Sequence, residues 1–97
     1  MKGDPPEELT QRIHQAATAL LESGAREVYV FGSAATGRAT PASDVDLAVS
    51  GLPPELFFRA MSKAAIALGR PVDLVDLDVD SPFTRYLRSE GELQRVG

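Results

Sequence analysis

The sequence predicts a small α/β (α+β) sandwich, one mixed β-sheet with helices packed on it, and three observations predict it. Apolar residues recur at helical spacing from Leu9 to Leu21. Short β-branched and aromatic runs follow at Glu27–Phe31, Val45–Val49 and Val72–Asp76. A second helical stretch separates the last two. The order is α-β-turn-β-α-β-α, and 97 residues leave room for a single domain with one core.

Each element has a local cause. Pro5 and Pro6 ahead of Glu7 and Glu8 make a helix start, with proline early and acids in the first turn. Leu9, Ile13, Ala16, Ala17, Leu20 and Leu21 form the apolar face, opposite Gln11, Arg12, His14 and Gln15. Ser23-Gly24 stops that helix, glycine supplying the left-handed cap. Glu27–Phe31 reads as a buried strand. Gly32–Ala42 is a turn-rich connection containing Gly37 and Pro41. The strand Val45–Val49 ends at Ser50-Gly51. Pro54 lies near the start of a helix reaching about Leu68, with Phe57, Met61, Ala64, Ala65 and Leu68 on its apolar face. Gly69 closes it, and Val72–Asp76 is the third strand. Ser81-Pro82 reads as an N-cap and first helical residue of a short helix to about Ser89, burying Phe83 and Leu87. The tail from Gly91 to Gly97 carries no pattern long enough to assign.

Composition excludes several function classes. No cysteine means no disulfide and no thiolate metal site, which fits a reducing, cytoplasmic setting. No apolar run approaches the roughly 20 residues needed to span a bilayer, and MKGDPPEELT has no signal-peptide core. A net charge of −4 argues against non-specific nucleic-acid binding.

From Gly32 to Arg38 the chain spells G-x-x-x-x-G-R, one residue type from a P-loop. Arg38 and Ala39 stand where a P-loop needs lysine and a metal-ligating hydroxyl, and a guanidinium fork does not replace that lysine. The connection to the next strand is also too short for the helix a P-loop opens. The P-loop reading fails on both counts.

Asp44 and Asp46 stand two apart at a strand start, so their carboxylates share a face. Side by side they raise each other's pKa, a cost relieved by solvent or by a bound cation. All-oxygen donors suit Mg²⁺ or Mn²⁺. A bare D-x-D reads first as a solvated pair; its company changes that. Gly32-Ser33 lies upstream where a strand gives way to a helical turn, whose free N–H groups and hydroxyl suit a phosphate. Asp73, flanked by Val72 and Leu74, offers a third carboxylate from the next strand. A right-handed crossover would make the second and third strands parallel. Three acids could then converge on a two-metal site.

This G-S-x10-D-x-D, followed by a third aspartate in V-D-L-V, resembles the signature of the DNA polymerase β nucleotidyltransferase superfamily. The compact layout is similar to its minimal nucleotidyltransferases (MNT domains), over about Leu9 to Tyr86. The resemblance implies that Asp44, Asp46 and Asp73 bind two Mg²⁺ ions, Asp73 also helping to deprotonate the attacking hydroxyl. Gly32 and Ser33 would hold the β/γ-phosphates of an NTP. Where many relatives carry arginine in the turn, this chain has Ala34, Ala35 and Thr36, leaving Arg38 as the candidate phosphate contact. The implied reaction is NMP transfer, AMP from ATP, to a hydroxyl with release of pyrophosphate. Minimal relatives often pair with a small helical HEPN protein, as MntA-type antitoxins that in some cases adenylylate its tyrosine.

Two other roles stay open: a module neutralising a helical partner by contact alone, and an NTP-binding sensor without transfer. The remaining polar candidates read as bland. His14, Arg59 and Lys63 lie on solvated faces, and Asp76, Asp78 and Asp80 read as loop acids lacking an EF-hand's glycine and glutamate. Tyr29 and Phe31 read as core.

Overall fold

The computed structural model describes residues 7–35, 44–90 and 93–97. Helix α1 (Glu7–Glu22) leads into strand β1 (Glu27–Phe31), which gives way at once to a 3-10 turn, Gly32–Ala34. Strand β2 (Val45–Ser50) follows, then helix α2 (Phe57–Leu68), strand β3 (Val72–Asp76), helix α3 (Pro82–Ser89) and a two-residue strand β4 (Gln94–Arg95). The expected order holds throughout, with β4 added.

The sheet order is β3-β2-β1-β4. β2 runs antiparallel to β1 and parallel to β3, so the sheet is mixed as expected. The antiparallel β1–β2 pair removes what remained of the P-loop reading, which needs a helical crossover between parallel strands. β4 comes from the tail left unassigned in the sequence. Two residues show no periodicity, yet they pair with Tyr29 and Val30, and Val28 adds hydrogen bonds with Val96 and Gly97.

Strand alternation separates two faces. On one, Val28, Val30, Val45, Leu47 and Val49 meet Leu9, Ile13, Ala16, Ala17 and Leu20 of α1 and Ala60, Ala64 and Leu68 of α2. Ala60 belongs to this seam although the periodicity pointed to Phe57, Met61 and Ala65, which are only half-buried. Small residues at the seam let α2 approach closely while the larger ones lean out. Leu21, expected on the apolar face, lies at its margin and is exposed.

On the other face Leu87 of α3 packs with Ala48 and Leu77, beside Tyr29, Phe31 and Val75. Helix α3 is fixed by a reciprocal capping box: Ser81 Oγ accepts from Thr84 N–H and Thr84 Oγ1 accepts from Ser81 N–H. The expectation that Phe83 would be buried is wrong. Thr84 takes the inward position, buried because its hydroxyl also donates to the Val79 carbonyl at 2.6 Å, and Phe83 stays half exposed.

Candidate functional site

The site forms where the paired strands open on the α3 face. Phe31 pairs with Asp46, and Asp46 with Asp73, so one row runs ring, carboxylate, carboxylate across three strands. This row exists because β2 and β3 are parallel and in register, with both aspartates at the second residue of their strands. The expectation that Asp73 lies beside the D-x-D acids holds for Asp46.

The two carboxyls share a hydrogen bond, and the Asp46 pKa is raised. Burial is the largest cause, followed by the charge of Asp73, the hydrogen bond to it, and the charge of Asp44. The site therefore holds like charges together in a partly desolvated place.

Asp44 is exposed and sits just before β2. It acts on Asp46 through space, but among the described residues no three His, Cys, Asp or Glu side chains gather as a metal-holding set. The expected convergence of three acids is therefore met by two, with Asp44 outside the pair. Asp46 and Asp73 are strand neighbours held by the ladder, whereas Asp44 precedes the strand.

Gly32 closes the other side. Its φ is +74°, and a Cβ built there would overlap Asp46 Oδ2. Only glycine lets the chain turn out of β1 while lying directly on that carboxylate. Ser33 falls inside the 3-10 turn as expected, its side chain lying outside the described residues. Arg38 also lies outside them.

A groove of about 470 Å³ opens from this row. Asp46 and Asp73 form its polar end; Phe31 and Phe83 make one wall, and Phe57, Phe58 and Met61 of α2 another. The Phe31 and Phe83 rings meet edge to face at 6.3 Å. Sequence reasoning assigned Phe31 to the core and missed the groove. The signal was present: Phe31 shares its face with Glu27, a polar residue that marks this side as open.

Of the residues read as bland, Asp76 closes strand β3 instead of lying in the loop. His14, Arg59 and Lys63 are exposed. Asp76 accepts from Asp78 N–H, Asp78 from Gly51 N–H at 2.7 Å, and Asp80 pairs with Arg85 at 2.8 Å. These acids tie the β3–α3 connection together and take no part in the groove. Among the described residues no helix is long and apolar enough to cross a membrane.

The solved structures most informative for this geometry share the fold. A protein assigned as a minimal nucleotidyltransferase superposes with a TM-score of 0.73 at 27% identity, over 94% of this chain and 97% of that one. A toxin–antitoxin crystal structure with AMP-PNP gives 0.67 at 28% identity, over 87% and 70%. The tri-AMPylated Shewanella oneidensis HEPN toxin in complex with MNT antitoxin gives 0.58 at 26%, over 87% and 70%. Among curated proteins none matches. The family described as "Polymerase beta, Nucleotidyltransferase" matches residues 13–93, a span that contains Gly32, Asp46 and Asp73 together with every strand but the last. The row of carboxylates beside a glycine turn is thus set in a nucleotidyltransferase fold, and the chain belongs to the polymerase β nucleotidyltransferase family.

Proposed function

We propose that this protein transfers AMP from ATP, with Mg²⁺, to a hydroxyl acceptor, a tyrosine of a small helical HEPN-type partner. The observation that carries the reading is Asp46, set in register beside Asp73 and directly under Gly32. One side of Asp46 then faces the Gly32–Ala34 turn, the side read here for phosphate, and the other a carboxylate for the incoming hydroxyl.

The donor set fits divalent metal. Asp46 is disfavoured in its charged form by burial and by two neighbouring acids, a penalty that a cation relieves. Asp44, Asp46 and Asp73 would hold it, all through oxygen, as hard cations prefer. Bound there, magnesium supplies charge neutralisation for the triphosphate and lowers the pKa of the attacking hydroxyl.

The chain's own residues do the rest. Gly32 and Ser33 orient the β/γ-phosphates at the end of β1, with Arg38 as a further contact. Asp73 accepts the proton of the acceptor hydroxyl. The acceptor's hydroxyl oxygen forms a bond to the α-phosphorus as the bond to the bridging oxygen breaks, and pyrophosphate leaves with that electron pair. Attacking and leaving oxygens lie roughly in line.

Incubation with α-labelled ATP, Mg²⁺ and candidate acceptors tests this. Wild type should label an acceptor and Asp44→Ala/Asp46→Ala should not; equal labelling sinks the chemistry. A contact-only role draws on the exposed Phe58 and Ile66 of α2. It requires the same double variant to neutralise the partner as well as wild type does.

A further inference from the structure

We infer that Asp78 is a positioning residue for the acid pair: by holding Gly51 it fixes the register of β3 on β2, and so selects Asp73 over Asp76 as the carboxylate opposite Asp46. Only the consequence for transfer rests on the transferase reading above. The register itself is a property of the fold. Strand β3 with Leu77 spells V-D-L twice, as Val72-Asp73-Leu74 and then Val75-Asp76-Leu77. In the observed register Asp73 lies opposite Asp46, while Asp76 lies opposite Val49 and, by alternation, on the other face of the sheet. An advance of β3 by three residues would put the second copy where the first now stands. Val75 would fall opposite Val45, Asp76 opposite Asp46 and Leu77 opposite Leu47. The three rungs around the acid pair therefore carry the same residue types in both registers. Among the described residues β3 pairs with β2 alone, so no second ladder decides between them.

The choice falls to the far end of the strand. There Leu77 is buried with Ala48 and Leu87, and its N–H donates to the Val49 carbonyl at 2.8 Å. Asp78 closes that end. Its Oδ2 accepts from the N–H of Gly51, the residue after β2, at 2.7 Å, and its own N–H donates to Asp76 Oδ1 at 2.9 Å. Arg88 of α3 backs the same turn, donating to the Leu77 carbonyl at 3.0 Å and standing 4.0 Å from Asp78 Oδ1. A three-residue advance would draw its length from the β3–α3 connection and set Asp78 in the place of Val75, opposite Ala48. A carboxylate tied to the end of β2 denies that slack.

Asp78 acts from the opposite end of the strand and touches neither acid. Without it the chain divides between two registers, and the shifted one presents Asp76 to Asp46 with Leu77 withdrawn from beneath α3. Transfer should then fall through the fraction of correctly registered protein, lowering kcat and leaving KM for ATP unchanged.

The chain has no cysteine, so an introduced pair reports register without background. Asp46→Cys is combined with Asp73→Cys in one protein, the observed-register pair, and with Asp76→Cys in another, the shifted-register pair. Both are oxidised mildly without nucleotide or metal, and the disulfide yield is read by mass. Residues opposite one another on paired strands lie within disulfide reach, and residues on opposite faces do not. With Asp78 present, the observed-register pair should close and the shifted-register pair should stay open. Asp78→Ala should raise the shifted-register yield about tenfold, the worth of a hydrogen bond to a charged acceptor. Asp78→Asn should restore the original pattern, because its amide oxygen still accepts from Gly51. Ser81→Ala loosens α3 without touching that bond, so it should melt lower and keep the pattern. Hydrogen exchange on the cysteine-free chain gives a second reading: the Leu77 amide should exchange about tenfold faster in Asp78→Ala than in Ser81→Ala. An unchanged shifted-register yield in Asp78→Ala overturns the assignment, and so does an equal change in Ser81→Ala. Neither readout needs ATP or metal, so failure here leaves the transferase reading standing, and failure of wild type to label any acceptor leaves the register assignment standing.

Discussion

Replacing Gly32 by alanine separates a backbone role from a site role. The residue sits at φ +74°, where an L side chain costs about 1–2 kcal/mol. Gly69, which ends α2 at φ +72°, carries the same conformational cost and gives a matched control. The two differ in what a Cβ would meet. At Gly69 it meets the tip of Arg12 at 2.8 Å, a flexible side chain that can swing aside. At Gly32 it overlaps the carboxylate of Asp46, which is held by its strand and by its hydrogen bond to Asp73. Both variants should therefore melt lower, by about 4–8 °C for each kcal/mol in a domain of this size. Calorimetric titration with ATP in Mg²⁺ should show wild-type affinity for Gly69→Ala and loss of binding for Gly32→Ala. Wild-type binding by Gly32→Ala would refute the placement of the phosphates beside Asp46. Equal loss in both would assign the effect to stability alone.

Asp46→Asn should raise the melting temperature of the metal-free protein while abolishing transfer, because it removes a charge disfavoured by burial and two acids and can still donate to Asp73. The sign follows from linkage: the folded pKa lies above its ordinary 3.8, so ionisation of Asp46 opposes folding, and the opposition fades as pH falls through the folded value. The stability gap between variant and wild type should thus narrow on acidification from neutral pH; a gap that widens refutes the cause given. Mg²⁺ at about ten times its dissociation constant should stabilise wild type by about 1.4 kcal/mol and leave Asp46→Asn unmoved, read as a thermal shift. Ser81→Ala should cost about 1 kcal/mol in urea unfolding by breaking the capping box of α3. Leu47→Ala, at a fully buried position in the central strand, should cost about 2–5 kcal/mol, enough to leave a small domain largely unfolded if its stability lies near the lower end of the usual range.

Most of the fold was legible because its signals are local. Ser81-Pro82, the apolar spacing of α1 and the β-branched runs each state their element within a few residues, and Gly69 ends α2 as expected. Asp73 was legible by alternation within its own strand. The misreadings are those that depend on partners far along the chain. β4 has two residues and exists only because β1 has an edge to pair with. Phe83 stays outward because Thr84 finds a carbonyl acceptor in Val79, which hydrophobicity alone would not rank above a phenyl ring. The meeting of Asp46 with Asp73 needed strand register, and the place of Asp44 just ahead of the strand needed the residue at which the ladder begins.

The two edges of the sheet are treated unlike each other, and that asymmetry bears on function. On the β4 side the edge is two residues long and polar, with Arg95 turned toward Glu27 at 3.5 Å and Glu27 also accepting from Tyr29 and Ser50. Short strands and charged side chains are how proteins discourage further pairing. On the β3 side the edge is five residues long and bounded by half-exposed or exposed rings, and the acid pair opens toward it. A domain selected only for solubility would protect that edge as it protects the other. That opening beside the acid pair is the side from which anything outside the sheet reaches Asp73, and it leaves β3 accessible to a further strand.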